Sequence, residues 1–384
     1  MELKMAIPVI GITGSAGKTT TKEMTASILK TRWKNVLKSE QSNNCYLENY
    51  INLLDHSHQA VVLEFSVHRI KKNCELLQPT MAAITNISTE HMDVYGCQIE
   101  GLIKAKSKMI KYMDQSGDLF LNIDDTNSKQ LDTRSFKGKV FTIGILNPQA
   151  SYFAYDIVEN DFGITFHVDL KEKKEKFFTP ALGKHNVYNA LFALAFADKL
   201  GFTSDDIRYG LKFYEKPASR LQLIRFHDRT IIDDSFSSSL IAAKAAINVL
   251  AKLGNGLKVA VLGPTGGALN GVSTEHLEIG QQIVAMKIDF IFTLTEQAKD
   301  IGLAAINAGF PRENVIHSSN IKELHRQLRE KMWIPDVTFL VKGSVVLKMY
   351  STTLFLKSMC SLQGTNFQKQ VSQMLIKVNP KEIV

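Results

Sequence analysis

The chain has 384 residues, of which 45% are apolar and 22% charged, a composition typical of a globular protein with about two or three domains. No stretch is long and apolar enough to span a membrane, and no secretory signal precedes the first strand, so we expect a cytoplasmic protein. The net charge of +8 is scattered and lacks interleaved basic and aromatic residues, which argues against a nucleic-acid partner and suits anionic small substrates such as ATP.

The first predicted elements surround a glycine-rich turn. An apolar strand over Ile7–Thr13 leads into the turn, and a helix predicted over Lys18–Thr31 begins directly after it. This order is that of a phosphate-binding P-loop, where backbone N–H groups approach an anion at the positive end of a helix dipole. The alternative interpretation is an ordinary strand-to-helix turn with a chance Gly-Lys pair. The predicted phosphate-binding residues are Gly14, Ser15, Ala16, Gly17, Lys18, Thr19 and Thr20, with Lys18 reaching the β/γ-phosphates and Thr19 binding Mg²⁺.

The rest of the first half alternates short apolar runs with helical patterns, which predicts a mainly parallel α/β sheet covered on both faces. The pattern of 152–178 changes to short β runs with polar turns, which indicates an antiparallel extension. A helix follows the turn 183–186, and another begins near 203–206, where a good N-cap sequence stands. The other predicted strands are Ala60–Phe65, Met81–Ile87, Asp118–Ile123 and Lys139–Ile143, and the other helices lie near Tyr46–Leu54 and Ile99–Met113.

A second α/β series follows a candidate linker at Lys216–Ser219. Its length predicts a smaller, doubly wound (Rossmann-like) domain with its own core. We therefore expect an ATP-binding domain over 1–217, a C-terminal domain over 218–360, and an unassigned tail over 361–384. The predicted elements of the second domain are strands Thr230–Ile232, Leu257–Leu262, Phe290–Leu294 and Val337–Val341, and helices Leu240–Leu253, Ser273–Ala285 and Glu296–Ala308.

Two residues at or just beyond predicted strand ends are candidate metal ligands. Ligands of open α/β sheets bind beyond the carboxyl ends of the strands. Glu64 closes one strand, and a carboxylate there, in the same sheet as a P-loop, is a natural ligand for Mg²⁺ directly or through water. An ordinary strand-end carboxylate is the alternative. His91 lies just past another strand, although spacing alone favours a surface or hydrogen-bonded histidine.

One lysine of the third predicted helix faces the wrong way for a surface residue. At about 100° per residue, Lys106 falls in the middle of the apolar face of this helix, whereas Lys104, Lys108 and Lys111 fall on the opposite side. A buried lysine usually has a partner or an altered charge state. Snorkelling at a helix end is the plain alternative. The sharper hypothesis is that CO₂ carbamylates Lys106, which would make it an anionic ligand for a second Mg²⁺.

Together these motifs resemble the Mur ligase family, the ATP-dependent amide-forming enzymes of peptidoglycan synthesis. The match runs in order over most of the chain, and its details are most similar to the branch that adds D-alanyl-D-alanine. The segments that carry the resemblance are TGSAGKTT (13–20), SNN (42–44), Glu64, ITNISTEHMDVYG (84–96), AKSKMI (105–110), LGKHNVYNALFALA (182–195), SRLQ (219–222), IIDDSF (231–236), VLG (261–263) and LVKGS (340–344).

The resemblance implies a role for each matching residue. Lys18 and the loop glycines would hold the phosphates of ATP, and Asn186 and Asn189 would lie near the adenine. Arg220 and Asp234 would reach the nucleotide from the linker and the C-terminal domain, which would close over ATP. The implied metal ligands are Thr19, Glu64, His91 and carbamylated Lys106, and the implied catalytic residues are Lys18, Lys106, His91 and Arg220.

The sequence departs from the family pattern in three places. These ligases normally start with a domain that binds the UDP-sugar, but here the P-loop begins near residue 11, so we expect that domain to be absent or supplied by a partner chain. The Asn-Ala-Asn-Pro usual after the IDDS-aromatic stretch is Ser237–Leu240 here, and the acidic stretch after VLG is replaced by Pro264–Gly267. ATP use is therefore expected to be intact, while the substrate pair stays open.

We expect an ATP-dependent, ADP-forming ligase that joins a small-molecule carboxylate to an amine, such as an amino acid or peptide, through an acyl phosphate, with ATP and Mg²⁺ as cofactors. Cell-wall synthesis is one setting for it; the missing UDP-sugar domain favours instead a stand-alone ligase that tailors a natural-product peptide or extends a poly-amino acid. The four cysteines form no C-x-x-C pair, which argues against a zinc site, a disulfide framework and a glutaminase-paired amidating subunit. The main alternative is a nucleotide-binding protein of this family that regulates or scaffolds without ligase activity; a plain P-loop kinase would not need the later motifs.

Overall fold

The computed structural model describes residues 7–39, 47–89, 95, 98–266, 274–331 and 335–362. The chain divides into two compact units. The N-terminal unit contains Met1–Ala218 and Ser239–Ala245, and the C-terminal unit contains Ser219–Ser238 and Ala246–Val384. The functional domains expected over 1–217 and 218–360, and the tail 361–384, stay predictions. No helix within the described ranges has the length and apolar character needed to cross a bilayer.

The described strands of the N-terminal unit form one sheet in the order β2-β3-β1-β4-β5-β6-β7-β8-β9, in which β1 is the third strand from one edge. Neighbours from β2 to β7 are parallel, and β7, β8 and β9 form the antiparallel extension that the sequence predicts. The carboxyl ends of β1, β3 and β4 therefore meet at one edge. The strands are β1 (Val9–Thr13), β2 (Val36–Lys38), β3 (Ala60–Glu64), β4 (Met81–Ile84), β5 (Asp118–Asn122), β6 (Lys139–Gly144), β7 (Tyr152–Asn160), β8 (Gly163–Leu170) and β9 (Lys173–Thr179).

Helices cover both faces of this sheet, and alternate residues of β1 point into two separate cores. Ile10 packs with residues of α1 and α5 on one face, whereas Val9 packs with residues of α3 and α4 on the other. Side chains alternate along a strand, so two apolar faces need two helical layers. The helices are α1 (Lys18–Leu29), α2 (Leu47–Ile51), α3 (Ile70–Leu76), α4 (Ile99–Tyr112), α5 (His185–Lys199) and α6 (Ser204–Phe213).

The C-terminal unit is also α/β, with its described strands in the order β10-β11-β15-β12-β13-β14. Only the β10–β11 pair within this sheet is antiparallel among its described strands. The strands are β10 (Gln222–Arg225), β11 (Arg229–Asp234), β12 (Leu257–Leu262), β13 (Phe290–Leu294), β14 (Val315–Ser318) and β15 (Val337–Lys342). The helices are α7 (Leu240–Leu253), which the division of the two units cuts after Ala245, α8 (Thr274–Ala285), α9 (Lys299–Asn307), α10 (Ile321–Lys331) and α11 (Tyr350–Leu362).

The predicted fold class, a mainly parallel P-loop sheet followed by a Rossmann-like α/β unit, is confirmed. The N-cap predicted before α6 is also confirmed, because Thr203 and Asp206 form a capping box. Several strand boundaries differ from prediction, and three differ by two or more residues: β1 begins at Val9 rather than Ile7, β4 ends at Ile84 rather than Ile87, and β11 ends at Asp234 rather than Ile232. The chain leaves β4 early because the next residues bind the glycine-rich turn. The elements that the sequence analysis did not predict are β2, β10, β14, α3, α10 and α11.

Candidate active site

The glycine-rich turn after β1 has a backbone that only glycine fits at two positions. Gly14 has a φ of 148° and Gly17 a φ of 88°, both in the region that other residues rarely adopt. A Cβ atom added to Gly14 would lie 1.9 Å from Thr85 Oγ1. The turn is therefore pressed against the chain that follows β4.

The residues after β4 hold this turn by hydrogen bonds to its backbone. Ala16 N donates to Asn86 Oδ1 at 2.9 Å, and Asn86 Nδ2 donates back to Ala16 O at 2.9 Å. Thr85 Oγ1 also donates to Ala16 O at 2.6 Å, and Ser15 N donates to Asn86 O at 3.0 Å. A side-chain amide that pairs with both groups of one peptide fixes that peptide's orientation. Thr85 and Asn86 were quoted within a family motif, but no role was predicted for them.

The side chain of Lys18 folds back over the turn. Its Nζ donates to Gly14 O at 2.8 Å and to Ser15 O at 3.0 Å. An ammonium group has three donors and no acceptor, so it can bind phosphate oxygens at the same place. The contact of Lys18 with the β/γ-phosphates stays a prediction.

Thr19 and Glu64, two of the predicted metal ligands, are in direct contact. The parallel register pairs Glu64 at the end of β3 with Ile12 of β1, which brings the carboxylate beside the first turn of α1. Thr19 Oγ1 donates to Glu64 Oε2 at 2.9 Å, and Glu64 is fully buried. A hydroxyl and a carboxylate are the oxygen donors that suit Mg²⁺, so these two residues fit the ion that the sequence predicts. His91 lies outside the described residues, and within the described ranges no cluster of three or more His, Cys, Asp or Glu is found.

A buried lysine that the sequence analysis missed lies behind this pair. Lys22 is fully buried on α1 and donates to Ser39 O, while its Nζ is 3.0 Å from Glu23 Oε1. Ser39 Oγ in turn accepts a hydrogen bond from Glu64 N at 3.1 Å. Lys22 and Ser39 therefore fix the backbone that carries Glu64. The sequence signal that could have indicated this ion pair is the Lys-Glu dipeptide after the run of threonines, although the burial of Lys22 depends on where β2 ends.

Lys106 is buried, as its position on the helix predicts. It is 2% exposed on α4, between the buried residues Leu102 and Met109, whereas Lys104 and Lys108 are exposed. The helix-face prediction is confirmed. Carbamylation of Lys106 and its binding of a metal stay predictions.

Asn186 and Asn189 lie at the start of α5, beside α1. Asn189 Oδ1 accepts a hydrogen bond from Thr21 Oγ1 at 3.2 Å, and Asn189 Nδ2 donates to Asn186 Oδ1 at 2.8 Å. Asn186 Nδ2 donates to Leu182 O at 2.6 Å. Both asparagines are buried, with 6% and 4% exposure. They are thus part of the P-loop surroundings, and their predicted contact with adenine stays a prediction.

Arg220 and Asp234 are in the C-terminal unit. The Arg220 guanidinium lies 4.2 Å from the centroid of the Phe236 ring, and Nη1 donates to Ser237 Oγ at 3.0 Å. Asp234 Oδ1 accepts a hydrogen bond from Leu221 N at 3.2 Å. Their predicted contacts with the nucleotide stay predictions.

A buried ion pair supports Asp234 from the end of β15. Lys342, which is 1% exposed, has its Nζ 2.8 Å from Asp234 Oδ2, and the same Nζ donates to Ser237 O at 2.5 Å. The carboxylate compensates the charge of this buried ammonium, and the carbonyl accepts a hydrogen bond from a second of its three N–H groups. Lys342 belongs to a motif quoted for the resemblance, but no role was predicted for it.

One residue from each of the two described segments that depart from the family pattern takes part in a hydrogen bond within this unit. Gly266 N donates to Ser238 O at 2.9 Å. Thr265 N donates to His276 Nε2 at 3.2 Å, and Thr265 Oγ1 donates to Glu275. Burial lowers the pKa of His276, so its neutral ring can accept this bond. Gly267, the last residue of the second departure, lies outside the described residues.

The sequence of this chain is similar to those of known proteins over most of its length. The profile described as the Mur ligase middle domain matches residues 12–197. The UDP-N-acetylmuramoyl-tripeptide–D-alanyl-D-alanine ligase of Bacillus subtilis is 31% identical over 347 residues, which cover 89% of this chain and 74% of that protein. The ligase of the same name from Escherichia coli is 28% identical over 354 residues, with 88% and 74% coverage.

Solved structures show the same architecture. A crystal structure of MurF from Acinetobacter baumannii superposes with a TM-score of 0.81 at 25% identity, covering 92% of this chain and 77% of that one. MurF ligase from Thermotoga maritima in complex with ADP superposes with a TM-score of 0.79 at 19% identity, over 94% and 81% of the two chains, and this similarity concerns the fold.

Proposed function

Because the chain belongs to the Mur ligase family and is an ATP-dependent amide-forming ligase, we propose that it activates its carboxylate substrate at the turn Gly14–Thr20. The observation that carries this proposal is the 2.9 Å contact between Thr19 Oγ1 and Glu64 Oε2 at the start of α1, where the Lys18 ammonium binds the carbonyls of the same turn. A cation and two metal-binding oxygens at a helix N-terminus are what a transferring phosphoryl group needs.

We propose the following chemistry for the residues of this site. The substrate carboxylate attacks the γ-phosphate of ATP, which gives an acyl phosphate and ADP. Mg²⁺, when bound, neutralises charge on the triphosphate. Lys18 leaves the carbonyls of Gly14 and Ser15 and binds phosphate oxygens, while Thr19 and Glu64 are the residues that would hold the ion.

The second half-reaction forms the amide bond. The amine nitrogen attacks the acyl carbon, phosphate leaves with the C–O bonding electrons, and the nitrogen loses a proton. We propose that carbamylated Lys106 and His91 complete a second Mg²⁺ site, in keeping with the burial of Lys106 on α4. Arg220 and Asp234 are proposed to contact the nucleotide.

The names of the relatives support a choice of substrates. The curated relatives from Bacillus subtilis and Escherichia coli are UDP-N-acetylmuramoyl-tripeptide–D-alanyl-D-alanine ligases. We therefore propose a UDP-N-acetylmuramoyl-tripeptide as the carboxylate and D-alanyl-D-alanine as the amine. Other acid and amine pairs, including those of natural-product peptides, are competing outcomes of the test below.

The test measures nucleotide products with the full chain, Mg²⁺ and a panel of acid and amine pairs that includes these two substrates. ADP and phosphate release that depends on both substrates supports the proposal, and AMP release contradicts the acyl-phosphate route. Lys18→Met is expected to abolish turnover, whereas Lys30→Met, an exposed lysine after the same helix, is the matched control. ATP binding without turnover across the panel would favour a regulatory or scaffolding protein.

A further inference from the structure

Side-chain hydrogen bonds connect the start of α5 with α1, the helix that follows the glycine-rich turn, and two buried asparagine amides take part in them. Thr21 Oγ1 donates to Asn189 Oδ1 at 3.2 Å, although the two residues are 168 positions apart in the chain. Asn189 Nδ2 donates to Asn186 Oδ1, and Asn186 Nδ2 donates to Leu182 O. The i, i+3 spacing of the two asparagines places them on one face of the helix, where their side chains are neighbours.

The same amide lies against the backbone of the turn. A Cβ atom added to Gly17 would be 2.3 Å from Asn189 Oδ1. Gly17 is the N-cap of α1 and has the left-handed φ of 88° that turns the chain into the helix. The Asn189 amide thus fills the space next to Gly17, whose conformation sets the direction of the N–H groups that are predicted to bind phosphate.

We propose that Thr21 and Asn189 are positioning residues that hold the P-loop in its triphosphate-binding conformation. This inference rests on the proposed ATP site and gives the segment HNVYN (185–189) a function beyond any contact with the base. Its consequence is that losing the Thr21–Asn189 bond weakens binding of the phosphates and leaves the choice of base unchanged.

The helix provides a matched control one turn away. Thr25 is as buried as Thr21, but its hydroxyl donates to Thr21 O at 2.7 Å, a bond within the helix. Replacing either threonine by valine removes a hydroxyl and keeps the side-chain shape. A general loss of helix packing would affect both variants, whereas the proposed positioning role affects only Thr21→Val.

The experiment titrates the full chain in Mg²⁺ with ATP, GTP and inorganic tripolyphosphate by calorimetry. We expect Thr21→Val to weaken ATP and tripolyphosphate binding by about tenfold each, the effect of leaving one buried amide oxygen without its donor, with the ATP to GTP ratio unchanged. Thr21→Ser should restore binding to within about twofold of wild type, since it keeps the hydroxyl. Asn189→Ala should repeat the Thr21→Val pattern.

Three results would overturn the inference. One is equal binding by Thr21→Val and Thr25→Val. Another is an Asn189→Ala variant that loses its preference for ATP over GTP while tripolyphosphate binds normally, because that pattern marks a base contact. The last is a wild-type chain that binds neither ATP nor tripolyphosphate, which would also overturn the proposed function. Normal ATP binding without ADP release would contradict the proposed function alone.

Discussion

Removing Glu23 should destabilise the N-terminal unit more than removing its buried partner Lys22. Lys22 is fully buried, and its Nζ has two contacts, Ser39 O and Glu23 Oε1. Glu23 also binds Lys38, whose side chain is 23% exposed and keeps contact with water. The two substitutions therefore leave different groups unpaired. Glu23→Gln leaves the buried ammonium of Lys22 without its carboxylate, and Lys22→Met leaves the Ser39 carbonyl without its donor.

The size of each effect follows from these partners. Breaking a buried pair by removing one member costs roughly 3–5 kcal/mol, and we expect about 3 kcal/mol for Glu23→Gln because the amide oxygen can still accept one hydrogen bond from Lys22. Lys22→Met keeps the side-chain volume, so its main effect on the free energy of unfolding is the unpaired Ser39 carbonyl, a loss of about 1–2 kcal/mol. This loss is offset because an ammonium group no longer has to be desolvated on folding. The double variant should then be more stable than Glu23→Gln alone.

The free energy of unfolding of the N-terminal unit is measurable by urea titration with the fluorescence of Trp33. This residue is partly buried and packs edge-on against Phe202, with ring centroids 5.0 Å apart, at the border of a core of that unit. A Trp333→Phe background removes the other tryptophan of the sequence. A double variant that is less stable than Glu23→Gln would refute the argument, because Lys22 would then not be an uncompensated charge.

Two further predictions use the same protein. Lys106→Met should lower turnover by at least about 100-fold because it removes the proposed metal ligand, while Lys108→Met on the exposed face of α4 leaves turnover unchanged. Removing CO₂ from the wild-type assay should lower activity reversibly. Full activity of Lys106→Met would reject the carbamate. Burial raises the pKa of the Cys74 thiol to about 12, whereas the pKa of a thiol in an unfolded chain is about 8.5. The unfolded state therefore loses this proton first, and the free energy of unfolding falls as the pH rises from the lower pKa to the higher one. Urea titrations at pH 7.5 and at about pH 10 should show a smaller fall for Cys74→Ala than for wild type, and equal falls would contradict the burial effect.

The features that the sequence predicts correctly depend on neighbours along the chain. The order of strand, glycine turn and helix around Gly14 and Lys18 is visible within a dozen residues, and the burial of Lys106 follows from helical periodicity alone. Helix α10 was not predicted, although it carries a similar local signal, since Leu324 and Leu328 are buried one turn apart in an otherwise charged segment.

The sequence by itself determined which residues are chemically able to hold a triphosphate and a metal, because glycine φ freedom, lysine charge and helix periodicity are local properties. Only the tertiary structure decided which of them meet. The strand order β3-β1-β4 brings Glu64 to Thr19 and Asn86 to Ala16, and the packing of α5 on α1 brings Asn189 to Thr21. These contacts join residues that are 45 to 168 positions apart in the chain. Such pairs come together only when the strands have paired into the sheet and the helices have packed on it.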